Sequence, residues 1–339
     1  MKISIVTGFQ WHAVELGSAL ENLGHRVNYI STLDICSKGQ RVPLKFLLSI
    51  SERIQILKLI FNPLFSAFAL KKIQDSDLVI VWSSYGFFLS SKKIRVPVVV
   101  VRGNHHIDSQ FRLMGIQDGT NLRVSRFLEK WDYHIATKIT VPTIAIAEDP
   151  CWGSYSEKLI VSPYGFTPAN KEIERSISNP VKIIFAGALS HRKGFDRVAE
   201  IFCNPIAGIE FTVIGRKESH GQQIPKWWKY LGEVSHTKSL EQIAMSDILI
   251  LLSREEGMAR VGQEALSSGI PIICTPETGL STWTLQGAGI VTKSNPNRDE
   301  VLSAISTIVR NFTIFSNSAY LVAKSWTWKD HAQKILDEL

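Results

Sequence analysis

The stretch SREEGMARVGQEALSSGIPIICTPETG, Ser253 to Gly279, sets one carboxylate at Glu256 and another at Glu264, with seven residues between them. The run before it, DILILLS (Asp247 to Ser253), is continuously apolar, as in a parallel strand covered on both faces. RVGQEALSSG then reads as a short helix stopped at Gly269, and IPIICT as the next strand. A strand, loop, helix and strand in this order predict a parallel sheet, whose ligands bind beyond the carboxyl ends of its strands. Glu256 falls in the loop at such an end, and Glu264 in the first turns of the helix.

The start of that helix, about Gly257 to Val261, points backbone N–H groups at the crevice, where a phosphate or sugar oxygen suits them. A carboxylate accepts two hydrogen bonds and so matches a pair of vicinal hydroxyls. One carboxylate for a hexose and one for a ribose, with amides and a lysine for the diphosphate between them, would hold a nucleotide sugar.

Outward from this stretch the α/β pattern continues. VKIIFAG, IEFTVIG and AGIVTK read as strands; GFDRVAEIF, SLEQIAMS and RDEVLSAISTIVRN read as helices. The N-terminal half has the same architecture. KISIVTG, RVNYIST, DLVIVWS and VPVVVVRG are expected strands, KITVPTIAIA and KLIVSPYG shorter ones, and HAVELGSALENLGH is a helix closed by Gly24. Between the halves lies TPANKEIERSISNP, Thr167 to Pro180, rich in charge, Ser, Asn and Pro, which reads as a linker. The expected division is therefore an N-terminal domain over 1–166, a linker over 167–180 and a C-terminal domain over 181–324. WTWKDHAQKILDEL closes the sequence as an amphipathic helix.

The 339 residues suit two domains, and 45% hydrophobic with 20% charged residues is an ordinary globular composition. A net charge of +7 favours an anionic partner without choosing among phosphorylated substrates, nucleic acid and anionic membrane. Cys36, Cys151, Cys203 and Cys274 are scattered, with no zinc spacing, as in a reduced cytoplasmic protein. No run reaches the roughly 18 apolar residues of a membrane span, and MKISIVTGFQWH lacks the pattern of a signal peptide.

EGMARVGQEALSSGIPIICT resembles the Glu-x7-Glu signature of retaining glycosyltransferases of the GT-B architecture, of the family 4 type (glycosyl transferases group 1). FAGALSHRKGFDRVAEIF is similar to the family's first C-terminal strand and phosphate segment, with Lys193 at the lysine position. FTVIG resembles its second strand, and YLGEVSHTKSLEQIAMSDILILLSREEG its nucleotide-binding stretch. KLIVSPYGFTP resembles the segment closing the N-terminal domain. The likeness runs closely from Lys158 to about Asp299, more loosely from Met1 to Leu33, and is weak between them.

What the resemblance implies is a GT-B fold: two Rossmann-like domains facing across a cleft, with a terminal helix, about 325–339, packed back on the N-terminal domain. The donor would be a UDP-, GDP- or ADP-sugar, and the acceptor a saccharide or lipid-linked saccharide. Transfer would retain configuration without cofactor or metal. Glu256 would bind the donor sugar's hydroxyls; Gly257, Met258 and Ala259 would offer amides; Glu264 would bind the ribose. Lys193 would neutralise the departing diphosphate, with Arg192 as a second cation. Gly232, Glu233 and Val234 would flank the base, and Gly8, Gly187 and Gly215 complete the donor set. His105 or His106, in VRGNHHIDSQFR, would fill the catalytic histidine position of the N-terminal domain.

Two departures stand out. The family's usual Arg after the first C-terminal strand's glycine is Ala188 here, and its N-terminal Gly-Gly loop is reduced to Thr7-Gly8. The first favours the alternative of a non-catalytic nucleotide-sugar binder acting as scaffold or sensor. A dehydrogenase is disfavoured by the lack of Gly-x-Gly-x-x-Gly after a strand, and nucleic acid by dispersed charge. Without context, the two glutamates are a loop residue and a helix-start residue favoured by the dipole. The pair Trp227 and Trp228 reads as packing, and Arg102 and Arg112 as acceptor-side or surface charges. The stretch 41–72 combines Arg41, Lys45, Arg53, Lys58, Lys71 and Lys72 with apolar residues. Its alternatives are two helices packed on the sheet or a weak contact with anionic lipid, placing a cytoplasmic protein at the inner face of the membrane. Such a setting suits cell-surface polysaccharide synthesis.

Overall fold

The computed structural model describes residues 1–7, 11–31, 73, 75–82, 94–113, 120–169, 174–218 and 223–339. Gly8 and the stretch 41–72 lie outside the described residues. The chain divides into two compact units, one of Met1–Tyr164 with Trp328–Leu339, the other of Gly165–Thr327.

The first unit holds a six-stranded parallel sheet ordered β2-β1-β3-β4-β5-β6. Its strands are β1 (Lys2–Thr7), β2 (Arg26–Ser31), β3 (Leu78–Trp82), β4 (Val98–Val101), β5 (Lys138–Val141) and β6 (Leu159–Val161). β3 and β4, LVIVW and VVVV, are buried along their whole lengths, as parallel strands with both faces covered must be. Helices α1 (Trp11–Asn22), α2 (Ile107–Leu113) and α3 (Thr120–Ile135) belong to this unit. The segment expected as one strand, Lys138 to Ala147, is strand only to Val141. Thr143 then caps a short helix, α4 (Ile144–Ala147), its hydroxyl accepting from the Ile146 amide.

In the second unit the parallel sheet runs β12-β11-β10-β7-β8-β9. The strands are β7 (Val181–Ala186), β8 (Ile209–Ile214), β9 (Lys229–Tyr230), β10 (Ile248–Leu251), β11 (Ile272–Cys274) and β12 (Gly289–Val291). Helices α5 (Phe195–Ile201), α6 (His236–Ala244), α7 (Arg260–Ser267), α8 (Arg298–Arg310) and α9 (Phe312–Ser325) accompany them. The strand order reverses between β7 and β10, and a doubly wound sheet opens its ligand crevice at that point. The core beneath is dense in aromatics, with Phe202 stacked on Phe211 at 4.3 Å and Phe185, Phe195 and Trp228 around them.

The segment expected to link the domains is bound along the second unit where it is described. The Phe166 amide donates to Trp326 O, Ala169 N to Ser267 O, and the Arg175 guanidinium caps the carbonyls of Ala244 and Ser246. The last helix, α10 (Trp328–Asp337), returns to the first unit and packs on α1. There the buried His331 places Nδ1 2.7 Å from Ser162 Oγ.

Candidate functional site

β7 ends at Ala186, and from Gly187 a tight loop carries Arg192 and Lys193 to α5. The loop is fixed by Gly194, which caps the helix with φ 67°. A Cβ there would stand 1.8 Å from the Leu252 carbonyl oxygen, so only glycine lets the loop seat on the end of β10. Arg254 clips the same two loops together. Its amide donates to Arg192 O, its Nη1 to His191 O at 2.7 Å, and its two terminal nitrogens to both Asp196 oxygens.

This seating brings Lys193 Nζ onto Glu256 Oε1 as a short ion pair. Arg192 Nη1 lies 2.9 Å from the same oxygen and 3.0 Å from Glu255 O. Glu256 is only 8% exposed, so its charge is held by two cations in partial burial, where Coulomb attraction is strong. An ammonium has three donors, so Lys193 can hold Glu256 and still reach an anion.

The amides expected at the start of α7 are only partly available. Ala259 N already donates to Thr278 O at 3.2 Å, which removes Ala259 from the expected set of donors. Gly257 and Met258 have no backbone partner for their amides among the described residues, but both are buried.

A cleft of about 510 Å³ opens at the carboxyl ends of β7 and β8. It brings together Gly187, Lys193, Gly215, Glu233, Val234 and Glu264 from the expected donor set. Gly232 stands beside it, its carbonyl accepting from the Gly215 amide at 2.8 Å. Gly215, at φ 144°, could carry no side chain: a Cβ would meet Gly187 O at 1.7 Å. Trp227 and Trp228 lie outside the lining and pack, both indoles donating to Phe202 O.

The cleft also contains residues the sequence reading missed: Arg216, His236 and Arg260. Glu264 Oε1 is 2.8 Å from Arg260 Nε and 2.8 Å from His236 Nε2. Arg260 Nη2 is itself 2.8 Å from His236 Nε2. One ring nitrogen cannot donate to the carboxylate and accept from the guanidinium at once, so the tautomer selects between these bonds. The Arg260–Glu264 spacing of one helical turn was the available signal.

In the first unit the two candidate histidines separate. His106 is 1% exposed, wedged against Tyr133 and Trp152, and burial pushes its pKa down to about 4. It is a core side chain and leaves the catalytic set, because it cannot reach a ligand. His105 is partly exposed, with Nδ1 3.8 Å from Asp149 Oδ2. Burial lowers its pKa and Asp149 offsets part of that. Arg102, expected at the acceptor side or surface, is buried: it pairs with Glu129 at 2.6 Å and donates to His105 O, bracing the loop. Arg112 is exposed and donates to Ser109 Oγ. Among the described residues, no three His, Cys, Asp or Glu side chains gather as metal ligands.

No curated protein matches the sequence. Solved structures do. Sucrose-phosphate synthase from Thermosynechococcus elongatus matches with a TM-score of 0.73 and 13% identity, over 100% of this chain and 98% of that one. Anabaena HepE in complex with UDP matches with a TM-score of 0.67 and 16% identity, over 100% and 99%. An α,α-trehalose-phosphate synthase (UDP-forming) from Burkholderia vietnamiensis matches with a TM-score of 0.67 and 11% identity, over 99% of each chain. The fold of the chain is therefore the α/β fold of the GT-B glycosyltransferases. Residues 166–315 match the family model described as Glycosyl transferases group 1. The Glu256 and Glu264 pair, Lys193 and the cleft all lie inside that span, so the second unit is similar to the group 1 glycosyltransferases at its candidate site.

Proposed function

We propose that the protein transfers a sugar from a nucleotide sugar to a saccharide or lipid-linked acceptor, with retention of anomeric configuration and without a metal. The observation that carries the reading is the convergence, at the reversal point of one sheet, of Lys193 paired to Glu256 with a cleft that ends on Glu264. Glu256 takes the hydroxyls of the donor sugar and Glu264 those of the ribose. Glu233 and Val234 flank the base. As the anomeric C–O bond to the diphosphate breaks, the acceptor oxygen bonds to the anomeric carbon, its proton passes to the leaving diphosphate, and charge builds on that phosphate in the transition state. Lys193 and Arg192 are placed to meet it, and fixed charges of this kind are usually the largest catalytic contribution. His105, with the first unit, is assigned to the acceptor. HepE has been solved with UDP-glucose, which supports UDP as the first nucleotide to try.

The same reading sets the protein in cell-surface polysaccharide synthesis, in the cytoplasm and at the inner membrane face. The net charge of +7 supports the membrane contact. No helix among the described residues is long and apolar enough to cross a membrane. A non-catalytic nucleotide-sugar binder is the second reading, favoured by the uncharged Ala188 in the cleft wall.

The test is a thermal-shift panel of UDP-, GDP- and ADP-sugars on wild type and Glu264→Ala. A ligand that binds only the folded state raises Tm. One nucleotide class should raise it in wild type and not in the variant. No shift with any nucleotide sugar overturns the donor site. A shift without turnover on any acceptor, sugar-nucleotide hydrolysis included, supports the second reading.

A further inference from the structure

The cleft wall is built from the ends of β7 and β8, and their register reaches past the strands. Ala186 pairs with Ile214, and beyond them Leu189 bridges Lys217, both at the same offset. Gly187 therefore stands beside Gly215, and Ala188 beside Arg216. Neighbouring parallel strands lie about 4.8 Å apart, and paired residues project to the same face. Ala188 and Arg216 thus offer side chains to the same part of the cleft, and both line it. The strand that brings the loop of Lys193 contributes a methyl group, and the next strand contributes a guanidinium.

The charges of the cleft are unevenly matched. Lys193 is paired with Glu256, and Arg260 with Glu264. Arg216 is exposed and has no ion-pair partner among the described residues. It stands next to Gly215, whose Cβ position is filled by the Gly187 carbonyl, and near Gly187, whose Cβ position faces the Lys193 methylenes at 3.8 Å, so the two strand ends and Lys193 pack closely at this wall of the cleft. A planar guanidinium with paired donors matches a phosphate better than a point charge does. Backbone bonds hold its base in place: Leu189 N donates to Arg216 O at 2.9 Å, and Gly187 N to Ile214 O at 2.9 Å.

We infer that Arg216 is the diphosphate-binding cation of this cleft, standing on β8 in the place that Ala188 leaves uncharged on β7. The inference rests on the nucleotide-sugar reading above and names a residue that the sequence did not. It also removes the main ground for the non-catalytic alternative, because the cleft keeps its full complement of positive charge.

The experiment measures binding of UDP, GDP, ADP and the matching nucleosides by calorimetry, on wild type, Arg216→Gln and the double variant Arg216→Gln/Ala188→Arg. Arg216 is exposed, so the single variant should keep the wild-type Tm, which the same samples check. The expected result is a loss of about tenfold to a hundredfold in diphosphate affinity for Arg216→Gln, the size of a lost charge-assisted bond. Nucleoside affinity should be unchanged, and the double variant should recover diphosphate binding, since position 188 projects into the same space. Unchanged diphosphate affinity in Arg216→Gln overturns the assignment while the donor site stands. An equal loss for nucleoside and diphosphate also overturns it, making Arg216 a base contact. Wild type that binds no nucleotide overturns the donor-site reading itself, and this inference with it.

Discussion

Arg254 grips Asp196 with two parallel hydrogen bonds, Nη1 to Oδ1 and Nη2 to Oδ2, each 2.6 Å long. Asp196 opens α5, and Arg254 follows the end of β10, so the pair closes the two loops that carry Lys193 and Glu256. Asp196 is half exposed, and exposed ion pairs add little to stability. The effect belongs to position. Arg254→Ala should leave Tm nearly unchanged and lower kcat by about tenfold to a hundredfold, the cost of an ångström-scale misplacement. Arg254→Lys, which cannot span both oxygens, should fall between. A lower Tm with unaltered kcat would mean the clip serves folding alone.

Lys193→Ala removes the ammonium on Glu256. If Lys193 meets charge that develops on the leaving diphosphate, kcat should fall by about a hundredfold or more. Affinity for the nucleoside diphosphate should fall less. Steady-state kinetics beside calorimetry separates the two; a KM effect at constant kcat would make Lys193 a binding residue only.

Gly194→Ala puts a methyl group 1.8 Å from Leu252 O at φ 67°. The left-handed conformation alone costs about 1–2 kcal/mol for an L-residue, and the clash adds to it. The variant should melt several degrees lower and lose nucleotide binding. Wild-type Tm and binding together would mean the loop does not depend on its seat on β10.

His331 is fully buried, and burial, with His12 nearby, pushes its pKa from 6.5 down to about 3. Above pH 6.5 both folded and unfolded chains hold it neutral, so its contribution is fully present. As pH falls below 6.5, the unfolded chain takes up a proton that the folded one refuses, and stability drops until about pH 3. His106, at about 4, acts in the same direction. Melting temperature should therefore decline from pH 7.5 to 5. His331→Leu should melt lower at pH 7.5, having lost the Ser162 bond, but decline less steeply. Equal slopes for the two proteins would remove His331 from the acid response.

Strands were the most legible part of the fold, because parallel strands covered on both faces, such as DILILLS and VPVVVVRG, are unbroken apolar runs. Helix α9 escaped notice: FTIFSNSAYLVAKS mixes Ser and Asn with apolar residues, and its helicity comes from packing on α7. β9, two residues long, has no periodicity to read. In the site, residues defined by their own loop, Lys193 and Glu256, were legible. Arg216 was not, since its place beside Ala188 exists only in the pairing of β7 with β8. His106 was misread because a His–His pair after a strand does not tell which ring turns inward.

The return of α10 to the first unit has a consequence for biosynthesis. That unit is written in two pieces, with the whole second unit translated between them. While a ribosome is still making residues 165–327, the first sheet must wait with the surface of α1 that α10 will cover still open to water. The second unit, contiguous in sequence, has no such delay. Emergence of residues 328–339 is the step that completes the first unit, and a nascent chain stopped short of Trp328 would present one finished unit and one that is still unsealed.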